Sequence, residues 1–168
     1  KGDISLLLEY VHGHTLDRYI TQCQPTDQNR FRAMLDIAHA VQYLHAQAPC
    51  IVHGDLKPTN IMIQSGHVRT AATAKLLDFG LARIMKGHVR PLGGTLAWAA
   101  PEIYAGTRPK PSLAADMFSL GCILYFVVTG KTVYEGMHDE DIIKQKRSMQ
   151  VPEVEWQGES ALVGPCRD

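Results

Sequence analysis

His53-Gly54-Asp55-Leu56-Lys57-Pro58-Thr59-Asn60, followed further on by Asp78-Phe79-Gly80, is the stretch of this chain whose reading decides its fold. Each piece adjoins short apolar runs. Ile51-Val52 and Ile61-Met62-Ile63 flank the first, and Ala74 to Leu77 leads into the second, so both read as loops at strand ends. They carry three side chains with hard oxygens, Asp55, Asn60 and Asp78, and one lysine, Lys57. Hard oxygens suit Mg²⁺, and a lysine suits a phosphate oxygen. Asp55 and Lys57 are two residues apart, so in extended backbone they point the same way. Asp55 is then placed to orient or deprotonate an attacking hydroxyl, and Lys57 to neutralise charge on a moving phosphoryl group. Asn60 offers a cation a neutral oxygen and Asp78 a charged one. The plainer reading is that Gly-Asp, Lys-Pro and Asp-Phe-Gly are ordinary turns. Either motif alone would leave that reading standing. Both together, in this order and with a strand pair between them, favour a phosphoryl-transfer site.

The rest of the chain fits around such a site. Its 168 residues suffice for one domain with a sizeable core, and 45% hydrophobic with 20% charged residues is ordinary for a globular protein. Seventeen basic residues balance seventeen acidic ones, which argues against a dedicated nucleic-acid surface. Cys23, Cys50, Cys122 and Cys166 lie far apart without CxxC spacing, so a zinc site is not indicated and a reducing compartment fits. Cys122, inside an apolar run, reads as a buried free thiol. His12 and His14 flank Gly13 and read as a polar turn before a metal site. The longest apolar run, Met117 to Val128, is too short to span a bilayer. Beginning on Lys-Gly-Asp, without a signal peptide, the chain reads as a piece of something longer.

Moving outward, Ile4 to Glu9 reads as a buried strand broken by Gly13, and Thr15 to Ile20 as the start of a short helix. Pro25 with the Thr26-Asp27 pair signals the next helix. There Phe31, Met34, Leu35, Ala38, Val41 and Leu44 recur at steps of three and four, predicting a core-facing stripe that runs to about His45. Ser65-Gly66 reads as a turn, residues 69–73 as a lengthened hairpin loop, and residues 80–99 as an irregular loop. Pro101 to Tyr104 reads as one helical turn. Ala114 to Thr129 is apolar nearly all round, predicting a buried helix ended by Gly130. Asp139 to Lys146 predicts a polar surface helix with Ile142 and Ile143 facing in. The tail from Val151 has no clear period.

His53-x-Asp55-Leu56-Lys57-x-x-Asn60, Asp78-Phe79-Gly80 and Ala100-Pro101-Glu102 resemble the catalytic, metal-binding and segment-ending motifs of eukaryotic protein kinases. Gly94-Thr95-Leu96-Ala97-Trp98, Asp116-x-x-Ser119-x-Gly121 and the hinge-like Glu9-Tyr10-Val11-x-Gly13 extend the resemblance over about residues 4–150. Lys57 and the Gly-Thr-x-x-Trp run are similar to Ser/Thr kinases, especially the tyrosine-kinase-like group. The resemblance implies an α+β fold: a mainly helical C-terminal lobe with short β-hairpins, the N-terminal lobe absent. Residues 1–168 would be a partial kinase domain, the hinge and most of that lobe, truncated at both ends. It implies ATP and Mg²⁺ as cofactors and a protein Ser or Thr hydroxyl as acceptor, in a cytoplasmic setting or on the cytosolic part of a membrane-anchored protein.

Residue by residue, the resemblance makes Asp55 the catalytic base and Lys57 the phosphate contact, with Thr95 pairing with both beside the substrate. Asn60 and Asp78 would hold Mg²⁺. Backbone groups of Glu9 and Val11 would meet adenine, Leu8 would stand behind it, and Leu16 and Met62 would pack below the ring. Phe79 and His53 would form a regulatory stack anchored by Asp116. Plainer roles exist for several of these: core packing for Leu8, Leu16 and Met62, and a helix cap for Asp116.

Three departures qualify the resemblance. The arginine usual before the catalytic aspartate is Gly54, and between Gly80 and Ala100 the only hydroxyl is Thr95, so activation by loop phosphorylation is not expected. No glycine-rich loop or Val-Ala-x-Lys strand occurs in these residues, so half the ATP site is missing and the chain alone is expected to be inactive. Glu102 lacks the arginine that is its family partner, and a buried unpaired carboxylate would cost roughly 3–5 kcal/mol. The rival expectation is a pseudokinase or scaffold, a kinase fold that only binds; a truncated gene product is the third. Substrate preference is faint: Thr15 and Thr59 argue against an arginine-directed kinase, while Arg83, Lys86 and Arg90 would suit acidic substrates.

Overall fold

The computed structural model describes residues 9–64, 72–78, 96–105, 112–150 and 152–154. The expected strand at Ile4 to Glu9, most of the hairpin and irregular loops, and the tail fall almost wholly outside these.

Three short strands form one antiparallel sheet: β1 (Gly13–Thr15), β2 (Ile61–Gln64) and β3 (Thr73–Leu76), in the order β1-β2-β3. The β2–β3 pair is the one the apolar runs predict, in register Ile61 to Leu76 and Ile63 to Ala74. β1 was not expected, because Gly13 reads as a breaker. Its role is close approach instead: a Cβ there would sit 2.0 Å from the Ile63 carbonyl oxygen, so only glycine lets this strand lie against β2. Along β2, Ile61 and Ile63 are buried while Met62 and Gln64 on the other face are half-exposed.

Helix α1 (Leu16–Gln22) follows β1 directly, its first turn capped by the Thr15 hydroxyl. Helix α2 (Asp27–His45) starts at the Thr26 cap and ends where the periodicity places it. The buried stripe, however, is Ala33, Ile37, Val41 and Leu44. Phe31 and Leu35, expected in the core, are 46% and 41% exposed. Both stripes share Val41 and Leu44, and at the N-terminal end Ala33 and Ile37 face in where Phe31 and Leu35 were expected. Asp36 of α2 also accepts the Ala74 backbone N–H at 3.0 Å, fastening β3 to this helix.

The central helix α4 (Leu113–Thr129) is capped by Ser112 and stopped by Gly130 at φ 74, a left-handed C-cap. Ile123, Val127, Leu120 and Phe126 join Leu16, Ile20, Ile37, Val41, Ile61 and Ile63 in the main core, with Trp98 edge-on to Phe126. Each such fully buried aliphatic contributes about 1.5–3 kcal/mol. Arg30 donates to the carbonyls of Pro25 and Val127, tying the start of α2 to the end of α4.

A smaller cluster of Leu96, Tyr134 and Ile142 joins the turn at residues 96–99 and helix α3 (Glu102–Ala105) to helix α5 (Asp139–Arg147). Ile142 faces in, as the pattern predicts. Lys146 does not lie on the surface: it is completely buried. Among the described residues no helix is long and apolar enough to cross a membrane.

Candidate active site

The His53–Asn60 loop is built on one buried carboxylate. Asp116, in the first turn of α4, is 2% exposed. Its Oδ2 accepts the His53 backbone N–H at 2.8 Å, and its Oδ1 accepts the Gly54 N–H at 2.9 Å. His45, the last residue of α2, adds its Nε2 to Oδ2 at 2.9 Å. The cap of α4 is Ser112, so Asp116 is not spent on its own helix and is available to hold the loop.

His53 passes that order on. Its Nδ1 accepts the Asp55 N–H at 3.4 Å, which leaves Nε2 as the donor to the Leu77 carbonyl at 3.1 Å. On its other side the Leu77 N–H donates to the Asn60 carbonyl at 2.8 Å. The residue before Asp78 is thus gripped on both sides by the His53–Asn60 loop, and the two predicted halves of the site are brought together. Asp78 itself sits at φ 56, in the left-handed region where a residue with a Cβ is strained. Backbone strain of this kind clusters at functional positions. Gly54, at φ 78, makes the sharp bend just before Asp55.

Within the loop, Lys57 Nζ lies 2.7 Å from Asp55 Oδ2, as two residues in extended backbone should. Asn60 Nδ2 donates to the same Oδ2 at 3.0 Å and to the Asp55 backbone carbonyl at 2.9 Å. One Asp55 oxygen is therefore doubly held. The other, Oδ1, is buried and has no hydrogen-bond partner among the described residues. Because the Asn60 amide nitrogen is taken up by Asp55, its amide oxygen is the group left for a cation. Asn60 and Asp78 thus fit a hard divalent ion. Among the described residues no group of three or more His, Cys, Asp or Glu side chains forms a self-sufficient metal cage, and Mg²⁺ commonly takes only one or two protein carboxylates beside phosphate and water.

The other predicted residues scatter more. Leu8, Thr95 and Phe79 lie outside the described residues. Glu9 is exposed, and its carboxylate pairs with Lys75 of β3 at 2.5 Å, a surface bridge worth under about 1 kcal/mol. Val11 is half-buried beside it. Leu16 is wholly within the main core, and Met62 lies on the opposite face of β2 from Ile61 and Ile63. Glu102 is only half-buried, with the Lys146 ammonium a counter-charge beyond ion-pairing distance. The expected penalty for an unpaired carboxylate is eased accordingly.

Lys146 and His45 escaped the sequence reading. His45 gave one signal, a histidine closing a long amphipathic helix, but that is equally a helix-terminus charge. Lys146 gave none. Its Nζ donates to the Ala99 carbonyl at 2.5 Å and lies 4.4 Å from the Tyr134 ring centroid and 5.1 Å from that of Phe118. Burial pulls its pKa from 10.5 down to about 8, against the opposing pull of Cys122 and Glu102. Burial likewise pushes the Cys122 thiol up to about 11.

A protein-family model described as "Protein kinase domain" matches residues 1–164. The chain is 32% identical over 151 residues to the serine/threonine-protein kinase tousled-like 1 of Caenorhabditis elegans, covering 83% of this chain and 15% of that protein. It is 37% identical over 139 residues to a mitogen-activated protein kinase kinase kinase of Drosophila melanogaster, covering 79% and 12%. Against the smooth-muscle myosin light chain kinase of Gallus gallus it is 35% identical over 147 residues, covering 85% and 7%. The chain therefore spans only 7–15% of the length of these relatives.

Proposed function

This chain belongs to the family of protein kinase domains, and on that premise we propose that its intact protein moves the γ-phosphate of ATP to Ser or Thr hydroxyls of protein substrates. The observation that carries this reading is the Asp55 carboxylate. Lys57 and Asn60 hold one oxygen, and the other is buried and without a partner among the described residues. A carboxylate so oriented can accept a hydroxyl proton as that oxygen attacks phosphorus. Lys57 stands where it can meet negative charge on the transferring group without leaving Asp55. Asn60 and Asp78 would hold Mg²⁺, which when bound neutralises phosphate charge and aligns the groups for in-line transfer. Asp116, through His53 and Gly54, keeps the loop from relaxing away from that geometry.

The Ser/Thr preference rests on Lys57 and the Gly94-Thr95-x-x-Trp98 run, and so does placement in the tyrosine-kinase-like group. The small sheet against a mostly helical body supports reading these residues as the C-terminal lobe and hinge. Glu9 and Val11 would then border the adenine, with Leu8, Leu16 and Met62 as its apolar surround. Thr95 would complete the substrate side with Asp55 and Lys57. Since no glycine-rich loop or Val-Ala-x-Lys strand occurs within the 168 residues, they are expected to be inactive by themselves.

The test is phosphate transfer by the full-length protein from Mg-ATP to a mixed Ser/Thr/Tyr peptide library. Wild type should label Ser and Thr, and Asp55→Asn should lower kcat by about 10²–10⁴-fold with its melting curve preserved. Equal turnover in wild type and Asp55→Asn would refute the role. Mg-ATP binding without turnover would favour the scaffold alternative.

A further inference from the structure

Helix α5 is strongly polar, yet it sends one lysine to the interior. Lys146 is the largest of the completely buried side chains. An aliphatic residue could fill the same space among Tyr104, Phe118 and Tyr134 without the cost of desolvating an ammonium. What an aliphatic residue could not do is donate to the Ala99 carbonyl. That carbonyl belongs to a segment, residues 96–102, which makes a turn with no strand ladder to hold its backbone. Leu96 anchors the start of this segment in the Tyr134–Ile142 cluster, and α3 begins at its end. Ala99 lies between, beside the buried Trp98 and Ala100. A charge-assisted hydrogen bond there fixes the backbone where apolar packing on its own would let it shift.

We infer that Lys146 is a positioning residue for the acceptor substrate: by gripping the Ala99 carbonyl, it latches residues 96–102 to α5 and so fixes the wall on which the acceptor peptide lies. This rests on the kinase reading, in which Thr95, next to this segment, sits beside the substrate. The latch acts on peptide binding and not on the nucleotide, because Lys146 is tied to neither the Asp55 loop nor Asp78.

Two variants of the full-length protein test it. Lys146→Met keeps the stem and removes the charge and the donor; since the buried ammonium is itself costly, this variant should stay folded. Lys146→Arg keeps both. Steady-state kinetics should show the peptide KM of Lys146→Met rising about tenfold, the worth of one charge-assisted hydrogen bond. The ATP KM should stay within about twofold, and Lys146→Arg should recover part of the loss. Backbone amides of residues 97–103 should exchange faster in Lys146→Met. Unchanged peptide KM and unchanged exchange overturn the inference, as does a parallel loss in ATP KM, kcat and melting temperature that marks general damage. Absence of turnover in wild type would defeat the kinase reading separately. Exchange alone then judges the latch: lost protection in Lys146→Met upholds it, and unaltered protection overturns it.

Discussion

Asp116 Oδ2 accepts the backbone N–H of His53 at 2.8 Å across 63 residues of sequence, with both groups buried. The same carboxylate takes the Gly54 N–H and the His45 ring. Replacing it by alanine would leave three donors without their acceptor, the fully buried His53 N–H among them. Asp116→Ala should therefore lower unfolding free energy by about 3–5 kcal/mol. Asp116→Asn, which retains one accepting oxygen, should cost less. Urea denaturation of the two variants checks the order, and equal stabilities would mean that the carboxylate does not hold the loop.

Gly54 stands where the family has arginine, and its φ of 78 gives glycine there a local reason. A Cβ in that conformation costs about 1–2 kcal/mol. Gly54→Ala should destabilise by that amount and reduce turnover further, because the strained residue directly precedes Asp55. A stability change near zero would show that the bend tolerates side chains.

Asn60 holds Asp55 and is proposed to hold the cation, and its variant should report both. In Asn60→Ala the Asp55 backbone carbonyl and Oδ2 lose their shared donor, which should cost about 1–2 kcal/mol of stability. If its amide oxygen also serves the cation, the Mg²⁺ concentration for half-maximal turnover should rise about tenfold or more. Titrating Mg²⁺ against rate at fixed ATP measures the second effect separately from the first. An unchanged Mg²⁺ midpoint would remove Asn60 from the metal site.

The His53–Asn60 loop, β2, β3 and the central helix were legible because each obeys a local rule: turn residues between apolar runs, or an apolar run long enough to need burial. Gly130 and Thr26 marked helix ends for equally local reasons. What was not legible depends on a partner far away in sequence. Gly13 looks like a breaker until Ile63 is placed against it. Phe31 and Ile37 are equally apolar, and only the position of α4 decides which of them faces in. Lys146 on a helix with the composition DEDIIKQKR carries no mark of burial, since its site is made by Ala99, Phe118 and Tyr134. Local patterns reveal elements; the polar groups that join them answer to tertiary geometry.

That buried lysine should make stability depend on pH in the alkaline range. Lys146 drops to about 8, so between about pH 8 and 10.5 the unfolded chain holds a proton that the native one has released, and stability rises with pH. Glu102 and Cys122 face it, and both pull the other way by favouring the ammonium. Burial raises Cys122 to about 11, and Tyr104 and Tyr134 to about 12, Asp139 adding to Tyr104 and Cys122 to Tyr134. These three keep protons that the unfolded chain gives up, so their contribution falls from about pH 9 for the thiol and from about pH 10 for the phenols. Unfolding free energy should accordingly climb by about 1 kcal/mol or less between pH 8 and 9, level off, and fall steeply above pH 10. Denaturant titrations at half-unit intervals would trace this curve. In Lys146→Met the climb should vanish while the fall above pH 10 remains. A wild-type curve that declines steadily from pH 7.5, or a climb that survives in the variant, would mean that some other group governs this range.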